Sequence, residues 1–544
     1  MLNYVWLALL FLGIGAAITT DLVNQSENKF KNNEPLPAEL VFSSSFNPDS
    51  SSVYPAVLKV SKDELENFYG EKFKNAVLIN TSVAFHKENH PASLYFKVDK
   101  NSPSIWQEMA KSSGEKDDLT GTVKIDSMLS PVKAKVHVIL ESVSFLKIKN
   151  VTNAALDYAG TAVNISLGLI GIMALWLGIM KIAEEAGLIG IIARWLKPFT
   201  KRLFPDVPAD HPAMGSMIMN ISANMLGLGN AATPFGLKAM EELNDLNPEK
   251  KTATNAMCTF LAINTAGMTL IPATAIAVRV AAGSTQPAVI IGTSLFASFC
   301  ATVAGVTAAK ILEKFPLRKG ESNHSLLKSL KPLFILLTIA AVVLIFIYSG
   351  LAKIISGSLS FISVETFKNA VQVFSVLAIP LLIILFVGYG AVKKVRLYEV
   401  FVEGAKEGFN IAVKIIPYLV AMLVAIGIFR AGGAMDWFIY ILHPVTNLIG
   451  MPAEALPMAL MRPLSGSGSL GIMAEIISVH GPDSFLGILV STFYGSTETT
   501  FYVLAVYFGA VNIRRIRHAL SAGLIADLAG ILAAVFIVRL LFGP

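Results

Sequence analysis

Glu498 stands in the stretch STFYGSTETTFYV (491–503), between an apolar run at 485–490 and a ring-rich apolar run at 504–510. Hydroxyls flank it on both sides: Ser496, Thr497, Thr499 and Thr500. A carboxylate within an apolar segment is expensive and ordinarily faces protein or water. Arg462 offers the opposite charge from another polar interruption, MRPLSGSGSLGIMAE (461–475), which also holds Ser465, Ser467, Ser469 and Glu475. Two readings stay open. Glu498 binds a proton, a cation or part of a solute, or else Arg462 and Glu498 form a buried pair that holds a broken helix. The earlier part of the chain carries amides instead of charges. Asn220, Ser222, Asn224, Asn230 and Thr233 lie in or beside MNISANMLGLGNAATPFG (219–236), and Asn255, Asn264, Thr265 and Thr269 precede a break at Pro272. Repeated hydroxyls and amides suit a neutral polar solute. The free N–H groups at the start of a broken helix suit anions. Small residues also let helices pack closely, so SGSGSLG (465–471) could serve packing alone.

Other chemistries find no support. GLGNAATP (227–234) lacks the Lys-Ser/Thr of a phosphate-binding loop and follows no strand, which excludes nucleotide hydrolysis. No nucleophile–base pair or metal-ligand spacing is present, so neither an enzyme nor a cofactor is expected. His86, His90 and His137 are scattered, and Cys258 and Cys300 lie in apolar runs as packing residues. Asp157, Glu184 and Glu185 read as interfacial, Glu475 as near a membrane surface, and His211 before Pro212 as a helix start.

The elements that must position these residues are membrane helices. The chain has 544 residues, only 15% of them charged, and a mean hydropathy of +0.60. Apolar runs recur from residue 161 onward, most longer than the roughly 18 residues that cross a bilayer as a helix. The fold class is therefore an all-α polytopic membrane protein. Its net charge of +6 sits in short connections such as KPFTKR (197–202), LRKG (317–320), KKVR (393–396) and RRIRH (514–518), a topology pattern and not a nucleic-acid site. Residues 4–19 form a short apolar run with no basic residue before it, read as a signal-anchor helix. Residues 21–150 are polar and predict a small β-rich domain, with strands at 76–86, 92–98, 121–128 and 134–148 and one helix at 61–73.

The membrane part divides into a block at 151–312, two plain spans at 332–349 and 370–390, and a block at 400–542. Both blocks show the same order of features: an amphipathic lead-in, a span ending near glycine, and a helix closing in an X-Pro pair (198 or 444). A glycine- and polar-rich segment and two final spans follow, 253–282 with 288–311 and 485–510 with 519–541. Placing the basic segments 312–331 and 391–400 inside puts KPFTKR inside and its counterpart HPVTNL (443–448) outside. The blocks are then inverted repeats, an arrangement common in secondary transporters. Parity requires 211–240 and 456–480 to be re-entrant or broken helices, giving nine full spans and placing residues 21–150 outside the cytoplasm.

Long motifs now carry a family resemblance. NISANMLGLGNAATPFGLKAMEELN (220–244) and FLAINTAGMTLIPATAIAVR (260–279) resemble spore maturation protein A. KIIPYLVAMLVAIGIFRAGGAMD (414–436), MALMRPLSGSGSLGIM (458–473) and STFYGSTETTFYVLAVYFG (491–509) resemble spore maturation protein B. The chain is similar to a fusion of the two, over about three fifths of its length, and 21–150 falls outside the match. The resemblance implies nucleoside recognition, or Gate, domains in an integral membrane protein. Related domains occur in nucleoside and ferrous-iron transport proteins. Carried over residue by residue, the motifs nominate Asn220, Asn224, Asn230, Thr233, Asn264, Thr265, Arg462, Ser465, Ser467, Ser469, Ser496, Thr497 and Glu498.

The resulting expectation is a secondary transporter of a small polar solute in the bacterial cytoplasmic membrane, passive or coupled to a proton or cation. The alternative is a non-transporting scaffold or spore/envelope maturation factor. Its expected partners are the bilayer, an envelope protein at residues 21–150 and a second copy of the chain.

Overall fold

The computed structural model describes residues 2–48, 51–86, 91–111, 117–227, 232–314 and 364–543. His90, Asn230 and the expected span at 332–349 lie outside them. The chain forms two compact units, one of residues 7–157 with 425–438, the other of 1–6, 158–424 and 439–544.

Helix α1 (Leu2–Ser26) leads into a six-stranded antiparallel barrel. Its strands are β1 (Leu36–Phe42), β2 (Val53–Val60), β3 (Val77–Ala84), β4 (Ala92–Lys97), β5 (Asp118–Ser130) and β6 (Lys133–Leu140). Closure comes from β1, which pairs with β2 on one edge (Leu40 opposite Leu58) and β6 on the other (Leu40 opposite Ala134). Inward residues alternate along β1, where Leu36, Ala38, Leu40 and Phe42 are buried. The sequence reading lacked β1 and β2. Each contains a proline, Pro37 and Pro55, which lowers the strand signal. The strand expected to reach 148 ends at Leu140, because α4 (Leu146–Glu185) begins there. Asp21 of α1 caps that helix, its two carboxylate oxygens accepting from the Lys147 and Ile148 amides at 2.9 Å each.

The helix expected at 61–73 is α2 (Lys62–Tyr69). A Ser61–Glu64 capping box starts it and Gly70, at φ 72°, ends it. Helix α3 (Ser104–Ala110) sends Trp106 and Met109, both fully buried, into the barrel core. The Trp106 indole donates to the Tyr69 hydroxyl at 2.9 Å. Burial pushes the Tyr69 phenol up to about 12, against the lowering effect of that bond.

The second unit is helical. The first block contains the remainder of α4, then α5 (Leu188–Leu203), α6 (Pro212–Met225), α7 (Thr233–Asp245), α8 (Asn255–Ala266), α9 (Ala273–Ala281) and α10 (Ile290–Leu312). After α11 (Val364–Val392), the second block runs through α12 (Leu397–Ala431), α13 (Ala434–Leu448), α14 (Leu456–Leu464), α15 (Gly466–His480), α16 (Phe485–Ser496), α17 (Thr500–Ala510) and α18 (Ala519–Phe542). The order matches helix for helix: a long helix, an amphipathic helix, two broken pairs and a closing span.

This pattern corrects two expectations. The segments 211–240 and 456–480 are broken, but so are the supposed full spans 253–282, interrupted from Gly267 to Pro272, and 485–510, interrupted at Thr497–Thr499. The helices expected to close at X-Pro continue past Pro198 to Leu203 and past Pro444 to Leu448. Among the described residues five helices are long and apolar enough to cross a membrane: Asn3–Ser26, Leu146–Glu185, Pro287–Leu312, Leu397–Ala431 and Ala519–Phe542. A shorter apolar helix, Leu377–Val392, accompanies them.

Helices α10 and α18 pack along small residues. A Cβ at Gly305 would lie 2.9 Å from Ala526, and Ala301, Ala308, Ala309 and Ala522 are buried beside them. Both helices contact α8 and α16, so they frame the two broken pairs.

Replacing Trp106 with alanine should cost the barrel about 3–5 kcal/mol, read as a lower urea midpoint for proteolytic cleavage of the full chain. Tyr69 should add a pH dependence. Its contribution is whole below pH 10 and is lost as pH rises from about 10 to 12. The Tyr69→Phe variant should lack that alkaline loss.

Candidate functional site

The interruption between α16 and α17 leaves Thr497, Glu498 and Thr499 in extended or irregular backbone. Glu498 N–H donates to the Thr265 carbonyl at 2.8 Å, so the break of one block is bonded to the end of α8 in the other. Gly267 makes the approach achievable. It sits at φ 53°, and a Cβ there would lie 2.7 Å from Glu498 Cγ.

Arg462, in the last turn of α14, reaches the same break and is 4% exposed at its side chain. Its Nη1 donates to Thr499 Oγ1 at 3.3 Å, and its Nη2 donates to the Thr497 carbonyl. The guanidinium lies 4.6 Å from the centroid of the Tyr494 ring. Glu498 Oε2 is 3.8 Å from Nη2, and the Glu498 side chain keeps 46% of its surface exposed. The two charges thus differ in kind. Arg462 is buried and held by hydroxyl, carbonyl and ring, whereas Glu498 leans on it from an accessible position. A wholly buried pair is not what the geometry contains.

The first block places amides at the equivalent point. Asn224, near the end of α6, donates through Nδ2 to Asn264 Oδ1 at 2.9 Å, and Asn264 Nδ2 donates to the Phe260 carbonyl at 3.0 Å. The Leu270 amide donates to the Met225 carbonyl at 2.8 Å, tying the α8–α9 break to the end of α6. Asn220 is fully buried and donates to the Ala232 carbonyl (2.9 Å) and the Tyr507 hydroxyl (3.3 Å).

The remaining candidates divide by role. Ser465 is the N-cap of α15, accepting from Gly468 N–H at 3.0 Å, with Ser467 Oγ 3.4 Å away. Ser469 donates back to the Ser465 carbonyl at 2.6 Å, and Ser496 to Phe493 at 2.9 Å, so both hydroxyls are spent within their own helices. Thr265 and Thr497 are buried at the meeting of the breaks. Thr233 is a partly exposed residue in the first turn of α7. Glu475, expected near a membrane surface, is completely buried in α15, with the Tyr158 hydroxyl 3.5 Å from Oε1.

Two buried charges escaped the sequence reading. Asp527 of α18 accepts from the Thr500 hydroxyl at 2.5 Å and is 2% exposed. Arg279 of α9 is fully buried and paired with Asp483 at 2.9 Å. The rule that singled out Glu498, a lone charge in an apolar run, would have found both.

Comparison with known proteins accords with the doubled architecture. The nucleoside recognition (Gate) family profile matches twice, at residues 166–282 and 412–514. Spore maturation protein B of Bacillus subtilis is 54% identical over 169 residues, 31% of this chain and 95% of that protein. Spore maturation protein A of the same organism is 47% identical over 177 residues, 32% of this chain and 89% of that protein. Inner membrane protein YjiG of Escherichia coli K12 is 34% identical over 79 residues, covering 14% of this chain and 52% of that protein. No solved structure matches. With membrane-length apolar helices and two matched domains, the chain belongs to the spore maturation protein A and B family of membrane proteins, built on the nucleoside recognition domain.

Proposed function

We propose that this protein is a secondary transporter that binds a small polar solute between two inverted repeats in the cytoplasmic membrane. The observation that carries the reading is the accessible carboxylate of Glu498, 46% exposed where the breaks of both blocks meet. A carboxylate turned to lipid would be heavily penalised, so its open surface faces water or solute. Arg462 beside it supplies a fixed positive charge, and Asn224 and Asn264 supply neutral donors and acceptors from the other block. Asn220, Thr233, Thr265, Ser465, Ser467, Ser469, Ser496 and Thr497 shape and support the same region, with Asn230 assigned to it from sequence alone.

The inverted arrangement draws support from loop contacts. The α7–α8 loop meets the α17–α18 loop: Ala253 N–H donates to the Arg515 carbonyl at 2.9 Å, and Arg517 Nη1 to the Ala253 carbonyl at 3.1 Å. The α9–α10 loop meets the α15–α16 loop through Arg279, Ser284 and Thr285 on Asp483. Each contact joins an element of one block to the element of the other that the charge pattern assigns to the same side. The basic contact is cytoplasmic in this scheme, and residues 21–150 are extracytoplasmic. An envelope partner for the barrel belongs to the same proposal.

Glu498→Gln should lower solute flux in proteoliposomes at least about tenfold, consistent with the loss of a charge-assisted hydrogen bond of about 1.5–3 kcal/mol. Its melting temperature should stay near that of the parent chain, because the carboxylate is half exposed. Arg462→Ala should instead destabilise by about 3–5 kcal/mol, since its removal strands the groups it holds in the interior. Equal flux in the parent and Glu498→Gln proteins, across a panel of polar solutes, rejects the site.

Orientation has its own test. In a chain with Cys258 and Cys300 replaced, cysteine placed at exposed Glu249 should label only from the cytoplasmic side, and at exposed His480 only from the opposite side. Labelling of both from one side removes the inverted-repeat pathway.

A further inference from the structure

Helix α18 turns one face, Gly523, Asp527 and Gly530, toward the meeting of the two breaks. The spacing i, i+4, i+7 aligns the three residues. The glycines let threonines close in. A Cβ at Gly523 would lie 2.8 Å from Thr500 Cγ2, 3.3 Å from Thr265 Cγ2 and 3.4 Å from Thr265 Oγ1. A Cβ at Gly530 would lie 2.7 Å from Thr497 Cγ2 and 3.7 Å from Ser496 Oγ. Asp527 is thus set among hydroxyls from the α8 end of the first block and from the break of the second.

Those oxygens are incompletely used. Thr500 donates to Asp527 Oδ2. Asp527 Oδ1, Thr265 Oγ1 and Thr497 Oγ1 are buried, and none makes a hydrogen bond of full geometry among the described residues, although the Thr497 hydroxyl lies near enough to act on the Asp527 carboxylate. The three residues are 2%, 1% and 3% exposed, so bulk water does not satisfy them. Leaving such atoms incompletely bonded beside a buried carboxylate is costly, and a shared ligand would relieve that cost.

The donor set decides its class. It is all hard oxygen, with one carboxylate and neutral hydroxyls, and contains no sulfur or imidazole, which argues against a soft or borderline transition metal. Charge decides the valence. Arg462 and Glu498 are the other charges acting on Asp527. The formal charges of Asp527, Glu498 and Arg462 sum to −1. One monovalent cation neutralises that charge, whereas a divalent cation leaves an excess positive charge in the interior.

We propose that Asp527, with Thr265, Thr497 and Thr500, forms a buried site for a dehydrated sodium ion. The ion joins the end of α8 in one block to α17 and α18 of the other. Its use as a coupling ion rests on the transporter reading above, but its binding does not. The site is separate from the accessible Glu498 carboxylate, so ion and solute would occupy adjoining positions at the same break.

The test is sodium binding to the purified full-length protein with no solute present. The melting temperature is followed as sodium replaces choline at constant ionic strength, with potassium as a third arm, and radioactive sodium binding is measured alongside. The parent chain should show a saturable stabilisation specific to sodium. Asp527→Asn, which keeps the shape of the side chain, should remove both the stabilisation and the bound label. Should Asp527→Asn fail to fold, Thr265→Val and Thr497→Val should each weaken sodium affinity about tenfold or more. Glu498→Gln removes one of the two negative charges and should weaken sodium binding without abolishing it.

Absence of a sodium-specific response in the parent overturns the proposal. So does a response that survives Asp527→Asn and both threonine changes, or one that follows pH alone and marks protonation of Asp527 instead. Sodium binding without flux of any solute leaves the ion site standing and removes only the transport reading.

Discussion

Everything in the helical unit depends on how interrupted backbone is satisfied inside a membrane. An unpaired N–H or C=O costs several kcal/mol in an apolar medium, so a break persists only where protein or water answers it. Here the answer comes both from within each block and from the other. Glu498 N–H is taken by Thr265 O of the other block, whereas the Thr497 carbonyl is met by Arg462 and Leu270 N–H by Met225 O, each within its own block. Gly267 and Gly227 both adopt positive φ where chain segments nearly touch, the latter with Ile271 O 2.5 Å from where a Cβ would stand. Each block meets part of its own breaks, and the Glu498–Thr265 bond ties the two together.

On this shared frame the blocks carry different chemistry. Where the second has Arg462 beside Glu498, the first has Asn224 bonded to Asn264, at corresponding helix ends. An amide pair needs no counter-charge and tolerates burial, and Asn264 is indeed buried. A charge pair in the same position needs an accessible side or further partners. It has both, in the exposed face of Glu498 and in the ring and carbonyl that hold Arg462. The common order of helices sets where polar groups stand, and the difference in residue type sets which of them remains exposed.

How far this was legible in the sequence varies with the signal each element leaves. Glycine, asparagine and serine crowd into 219–236 and 461–475, so those breaks were visible from composition. The α8–α9 break rests on Gly267 and Pro272 within an otherwise apolar run, and the α16–α17 break has no proline at all, only Thr-Glu-Thr. Both runs are long enough to pass for continuous helices, and only tertiary bonding at the breaks distinguishes them. The X-Pro endings misled for the opposite reason, since Pro198 and Pro444 stand within helices that continue past them. In the barrel, closure of β1 on β6 joins residues about a hundred positions apart in sequence, beyond what alternation within a strand records. The site residues were chosen by polarity, which found the groups at the break but did not separate Glu498, which stays open, from Ser469 and Ser496, whose hydroxyls bond their own helices.

The two loop contacts that flank the breaks are built from different materials, and that difference bears on motion. One depends on buried charge. Arg279 has no exposed surface and is met by Asp483, Ser284 and the carbonyls of Pro287, Gln286 and Pro482. Burial raises the Asp483 carboxyl, but bonds from Ser284 and Thr285 together with Arg279 outweigh it and hold the group below its usual range, so it stays ionised. The other contact is main-chain, through Lys251, Ala253, Arg514 and Arg515, and its ion pair, Arg515 with Glu249, is exposed and long at 4.0 Å. Parting the first contact strands a guanidinium, a cost of several kcal/mol. Parting the second releases backbone groups at an exposed loop, where water replaces the lost bonds at a net cost of about 1 kcal/mol each. Of the two loop contacts, the one carrying Arg279 is therefore the costlier to part.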